Sequence, residues 1–349
     1  MTTILLYLDV KYFLVFFDFY HIIGAGGTMV DHYVHAKRIV EKKVSKDDPF
    51  YPFFVCAIYG LLCKYKGNGM LIAKLFKDAD IIFEEGSLPE ILKRNQIEMD
   101  MLNPIDEEDH LIAKAASNQG HFITTAEDGS IQYKKGKPFV VCSLTPRNDT
   151  QLLQAFCHEM GHLIKGERNS FFGEDKEDAY VYTIRSGLTH NIYAYSHDYS
   201  QVTIYSAFPA LDETVNCFQT CDVTKEILAL GEFVPDENVQ QFIDSLDKEK
   251  MKQVEGYQEL VELTRPLWSN DYFRSLVERH IVDGDMDTMI DYYDEVAGEG
   301  KFEDMAYLLD DIYRTLCDGE DDKREKLSVQ FQKTVQSFIQ KAKEKELLK

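Results

Sequence analysis

The sequence predicts a multidomain α+β protein, and three observations predict it. The first 135 residues mix short, buried-strand-like runs with helical stretches. The run Pro138-Phe-Val-Val-Cys-Ser-Leu144 reads as a strand and leads into a strongly periodic helix. From about residue 235 to the end, helical periodicity dominates. The expected organisation is an N-terminal α/β domain over 1–135, a second domain over 136–232 and an all-helical C-terminal domain over 233–349. A chain of 349 residues is long enough for two or three domains.

In the first region, Ile4-Leu-Leu-Tyr-Leu-Asp9 has the pattern of a buried strand ended by an acid, and Phe122-Ile-Thr-Thr125 has that of a second strand. The apolar stretch Ile4–Phe17 is interrupted by Asp9 and Lys11 and followed by Asp18. No basic segment precedes it, so it is read as neither a signal peptide nor a membrane span.

In the second region, Leu152, Leu153, Phe156, Met160, Leu163 and Ile164 recur at helical spacing. Asn148, Asp149 and Thr150 offer caps at its start, and Gly166 offers a stop. Glu177-Asp-Ala-Tyr-Val-Tyr reads as the start of another helix. Ile192–Tyr195 and Val202–Tyr205 read as a hairpin around Ser196-His-Asp-Tyr-Ser200.

The third region predicts helices over 239–246, 251–263, 272–281, 286–296, 302–316 and 323–343, with the lone Trp268 as a core residue. Asp283–Asp294 spaces its oxygens almost as a calcium loop does. Thr288 stands where the sharp turn demands Gly, and Asp294 where a longer Glu is needed, so the run is read as an acidic turn between helices.

The net charge is −22 with a pI near 4.8, which disfavours nucleic acid and anionic membrane as partners. Val282–Asp322 concentrates the acidity, with 15 Asp and Glu against 2 Lys and Arg. Seven cysteines, an odd number with no C-x-x-C pair, read as reduced thiols of a cytoplasmic protein.

The periodic helix contains His158-Glu159-Met-Gly-His162, an H-E-x-x-H pattern. Residues four apart share a helix face, so His158 and His162 can hold one metal ion together while Glu159 reaches a water on it. A catalytic zinc needs a third protein ligand. Glu213 is the first choice, on a second expected helix whose Leu211, Val215 and Phe218 form an apolar side. Glu174, Glu177, Asp178, His190 and His197 are the alternatives. Tyr193, Tyr195, Tyr199, Tyr205 and His197 are the candidate donors to a developing oxyanion.

His158-Glu-Met-Gly-His162-Leu-Ile, Arg185-Ser-Gly-Leu188 and Leu211-Asp-Glu213-x-x-Asn216 together resemble the gluzincin-type zinc metallopeptidases, including the ImmA/IrrE-like branch, over about 136–230. The resemblance implies a zincin-like domain with His158, His162 and Glu213 on Zn2+ and Glu159 as catalytic base. It also implies Asn216 or Asp212 as a ligand-orienting residue, and a peptide or protein substrate. Pro138–Leu144 would then be a strand able to pair with extended substrate.

A second, looser resemblance concerns residues 1–135. Asp9 after the first strand, Asp109 (or Asp106) opening a helix of the D-x-x-I-A-x-A kind, and Asp128 after Thr124-Thr125 resemble a PIN-domain nuclease. That likeness implies Mg2+ or Mn2+ held by Asp9, Asp109 and Asp128, and nucleic acid as substrate. Lys11 and the acid-free stretch Phe53–Lys64 depart from it. The expected function is therefore zinc-dependent peptide hydrolysis. A metal-dependent nuclease and a non-catalytic zinc-binding regulatory protein stand as alternatives.

Overall fold

The computed structural model describes residues 29–97, 115–118, 121–125, 131–145, 148–174, 179–196, 202–253 and 257–346. Its elements, in chain order, are α1 (Met29–Val40), α2 (Tyr51–Lys64), α3 (Gly69–Asp78), β1 (Asp80–Glu84), α4 (Leu88–Arg94), β2 (Ala115–Asn118), β3 (His121–Thr125), β4 (Ile131–Lys135), β5 (Phe139–Ser143), α5 (Asp149–Ile164), β6 (Glu167–Glu174), β7 (Ala179–Ser186), β8 (Thr189–Ser196), β9 (Val202–Ala207), α6 (Pro209–Leu230), α7 (Glu237–Ser245), α8 (Gln258–Trp268), α9 (Asp271–His280), α10 (Asp287–Ala297), α11 (Lys301–Asp318) and α12 (Asp321–Glu346). The protein is α+β. It divides into two compact units, each drawn from two stretches of chain: Met1–Lys77 with Val223–Leu246, and Asp78–Asp222 with Asp247–Lys349.

In the first unit, α2 is apolar on every side and buries Phe53, Val55, Ile58, Tyr59, Leu61 and Leu62, the signature of a helix inside a core. Lys37 on α1 pairs with Asp236 at 2.9 Å. Among the described residues no helix is long and apolar enough to cross a membrane.

The second unit contains a three-stranded sheet of order β1-β5-β2, with β1 parallel and β2 antiparallel to β5. All five residues of β5 are buried, as a strand covered on both faces requires. On one face, α4 packs Leu88, Ile91 and Leu92 against Phe139, Val141 and Ala116, and its start is closed by a Ser87–Glu90 capping box. On the other face lies α5, with Phe156 edge-on to Phe83 of β1 at 5.8 Å. The strand expected at Pro138–Leu144 therefore forms, but as the central strand. Its backbone is spent on β1 and β2, so it has no free edge for a substrate chain. Ala115 and Ala116, read as the tail of a helix, instead pair with Cys142 and Val141. Small side chains let β2 lie close under α5, and the ladder overrides alanine's helix preference.

Farther along, β6-β7-β8-β9 form an antiparallel meander. The expected hairpin is present, with Ile192 opposite Tyr205 and Tyr195 opposite Val202. The helix expected to start near Glu177 is not formed: Ala179–Ser186 is strand β7, paired on both sides. Its Val181-Tyr-Thr-Ile184 core, β-branched and aromatic, suits a pleated ladder better than a helix. Phe122–Thr125 falls in β3, which pairs with β4 in a separate hairpin.

The C-terminal helices share one core with the start of α6. Ala210, Leu211, Val215 and Phe218 pack with Leu260, Leu267, Met289, Phe302, Leu309 and Phe331. Trp268 stacks on Phe218 at 5.4 Å and is a core residue. Asp310 of α11 accepts the backbone N–H of Phe208 at 2.8 Å and of Ala210 at 3.1 Å, so it caps α6 from another helix. Asp294 accepts the N–H groups of Gly300 and Phe302 at 2.8 and 2.7 Å, one on each oxygen. The last acid of the calcium-like run thus closes the turn into α11. The helix expected from Met251 is interrupted: Lys250–Lys252 form a single 3-10 turn that ends at an extended Gln253, and the α-helix starts at Gln258 after a left-handed Tyr257 (φ 45°).

Candidate metal centre

The H-E-x-x-H stretch lies in the last two turns of α5, whose start is capped by Asn148 accepting the Gln151 N–H at 3.0 Å. The apolar stripe of α5 faces the sheet, which turns His158 and His162 toward α6. There the first turn brings up Glu213. Nε2 of His158 lies 3.0 Å from Oε2 of Glu213, Nε2 of His162 lies 3.3 Å from its Oε1, and the two Nε2 atoms are 3.1 Å apart. Ligand atoms about 2.0–2.1 Å from a tetrahedral zinc stand roughly 3.3–3.4 Å from one another. Two imidazole nitrogens and one carboxylate converging at that spacing fit such an ion. Among the described residues these three form the one His/Cys/Asp/Glu group able to hold a metal.

The approach of α5 to α6 depends on Gly161. A Cβ there would collide with Oδ1 of Asn216, which is fully buried. The Nδ2 group of Asn216 donates to the His158 carbonyl at 2.8 Å and links the two helices at the ligand itself.

Asp212 stands behind His162. Its Oδ2 is 3.4 Å from the His162 Nδ1 and 2.6 Å from Nζ of Lys165, while its Oδ1 accepts the Leu188 N–H at 2.8 Å. Leu188 follows Gly187 in the β7–β8 turn. Gly187 is left-handed (φ 58°), and a Cβ there would lie 2.6 Å from both Asp212 Oδ1 and Lys165 Cδ. The Arg185-Ser-Gly-Leu188 element thus meets the centre through a backbone amide.

The electrostatics follow from burial and pairing. Burial raises the Glu213 pKa, but His162 and His158 outweigh it and hold the carboxyl well below its ordinary range. Burial likewise raises Asp212, and Lys165 and His162 more than offset it. His162 is pulled down by burial, yet Glu213, with support from Asp212, pushes it up to about 9 before any metal binds.

Glu159 is buried, and its Oε2 accepts the Ser117 hydroxyl at 2.8 Å. The charge of Glu213 raises the pKa of the Tyr257 phenol well above its ordinary value, although that side chain is 37% exposed.

Of the residues expected from sequence, His158, His162 and Glu213 come together, with Glu159, Asp212 and Asn216 around them. Asp9, Asp106, Asp109, Asp128, Glu177, Asp178, His197 and Tyr199 lie outside the described residues. So do the side chains of Glu174, His190, Tyr193, Tyr195 and Tyr205. Ser117, Lys165 and Tyr257 were not anticipated. Only Tyr257 left a signal, an aromatic where a helix was expected to run on. Comparison of the chain with protein-family models, with curated proteins and with solved structures finds no match.

Proposed function

We propose that this protein is a zinc-dependent peptidase whose metal is held by His158, His162 and Glu213. The observation that carries the reading is the triangle of donor atoms 3.0–3.3 Å on a side, with a buried carboxylate, Glu159, next to one of its corners in sequence. A purely structural site has no use for that fourth group.

Zinc, when bound, supplies the Lewis acidity that makes water nucleophilic at neutral pH and polarises a carbonyl. The chain does the rest. Glu159 takes the proton of the attacking water and returns it to the departing amine nitrogen. Asp212 Oδ2, 3.4 Å from Nδ1 of His162, and the Lys165 ammonium, 3.3 Å from the same nitrogen, hold that side of the ring and leave Nε2 to the metal.

The same reading makes the metal-bearing part of the chain a zincin-like domain. It also places the protein in a reducing compartment such as the cytoplasm, in keeping with the six free, buried cysteines among the described residues.

The test is zinc analysis of the purified protein together with a peptide-library cleavage assay, on wild type and Glu159→Gln. About one zinc per chain in both, with cleavage in wild type alone, is the expected result. Protein purified without chelator that holds no zinc overturns the metal reading. Zinc without cleavage in either protein leaves a non-catalytic zinc protein.

A further inference from the structure

We infer that Ser117 is a positioning residue for Glu159: its hydroxyl fixes the base's carboxylate and selects which oxygen works. The inference rests on the peptidase reading and goes beyond it, because neither the H-E-x-x-H pattern nor the metal triangle involves Ser117.

The placement follows from strand periodicity. On β2 successive side chains alternate between the two faces of the sheet. Ala116 packs into the α4 cluster, so Ser117 emerges on the opposite face, where α5 lies. Its Oγ is 2.8 Å from Oε2 of Glu159 and 3.0 Å from the Glu159 backbone oxygen. A serine hydroxyl has one proton to give, and the shorter contact is to the atom bearing charge, where such a bond is stronger. Among the described residues Ser117 is the one donor to that carboxylate.

Two consequences follow. A glutamate left free at the end of three torsions samples several rotamers, and a general base must be aimed to within a fraction of an ångström. The hydroxyl removes that freedom. It also occupies Oε2, which leaves Oε1 to collect the water's proton and deliver it to the leaving nitrogen. Ser117 keeps its own proton throughout.

Ser117→Ala tests this. The expected result is a kcat lower by about 10- to 100-fold with KM unchanged within about two-fold, the pattern of a loss felt only in the transition state. Zinc content and melting midpoint stay at wild-type values, and Ser117→Thr, which keeps a hydroxyl on a strand-compatible side chain, restores most of the rate. If Ser117→Ala folds poorly, Ser117→Cys decides the matter: the thiol fills the same space but is a much weaker donor, so the same loss in kcat is expected. An unchanged kcat in Ser117→Ala overturns the inference and leaves the peptidase intact. So does a loss that merely tracks lost zinc. A wild-type protein that holds zinc and cleaves no peptide removes the peptidase reading and this inference together.

Discussion

Lys165 and Asp212 form an ion pair of 2.6 Å in which neither side chain is more than 5% exposed. Lysine is among the residues least often buried. Here it sits one turn past His162 on the line that joins α5 to the β7–β8 turn and α6. Its charge lets Asp212 remain ionised beside a second acid, Glu213, while Asp212 still serves His162 and the Leu188 amide.

Breaking that pair from one side is expected to be severe. Asp212→Ala leaves the Lys165 ammonium buried and uncompensated, a loss of about 3–5 kcal/mol in urea unfolding. The double variant Asp212→Ala/Lys165→Met removes both charges and recovers most of that stability. A double variant no more stable than Asp212→Ala would overturn the reading that the loss comes from an uncompensated buried ammonium.

Gly161→Ala has a diagnostic sign. In an exposed helix interior the change gains up to about 1 kcal/mol. At this position the new methyl meets Asn216 Oδ1, and α6 must retreat from α5. A destabilisation of about 1–3 kcal/mol is expected, with zinc affinity falling by roughly ten-fold as Glu213 moves off its partners. Urea unfolding of the variant measures the first effect, and calorimetric zinc titration the second.

Glu213→Ala removes one corner of the triangle, and its zinc content after dialysis is expected to fall well below that of wild type. In wild type, His162 holds a proton up to about pH 9 until metal displaces it. Zinc uptake therefore releases a proton and tightens as pH rises toward that value. Titration calorimetry in buffers of differing ionisation enthalpy reads the released proton directly.

Asp310 offers a pH-dependent test on a group that is not itself a proposed ligand. Burial pushes its carboxyl up to about 6, against the pull of the Phe208 and Ala210 amides. A folded pKa above the unfolded one contributes stability at low pH that is lost as pH rises through the folded value. Asp310→Ala should therefore cost more at about pH 5 than at about pH 7.5, by roughly 1 kcal/mol, on top of the loss of the α6 cap at both. Urea unfolding of the two proteins at the two pH values checks the sign.

The α5 helix was legible because cap, stripe and motif are local and agree. Glu213 was legible because an acid beside Leu211 and Val215 marks a helix with one buried side. What escaped reading depends on pairing between distant segments. Ser117 stands 42 residues before Glu159 and sits on a strand whose alanines favour helix. The β7 strand looked like a helix start because the acids before it resemble an N-terminal charge cluster. Lys165 at a helix end reads as a solvated cation until α6 closes over it. The two compact units could not be seen in a linear scan, because each is assembled from separated stretches.

The helical core that continues past Glu213 has a genetic consequence. No proposed zinc ligand lies beyond residue 213, yet Leu211, Val215 and Phe218 are buried by residues as far along as Phe331, and the cap of α6 comes from Asp310. A nonsense codon or a proteolytic nick well after the last ligand would therefore abolish metal binding as surely as loss of a histidine. Disabling lesions should be spread over the whole second half of the coding sequence rather than clustered around the motif.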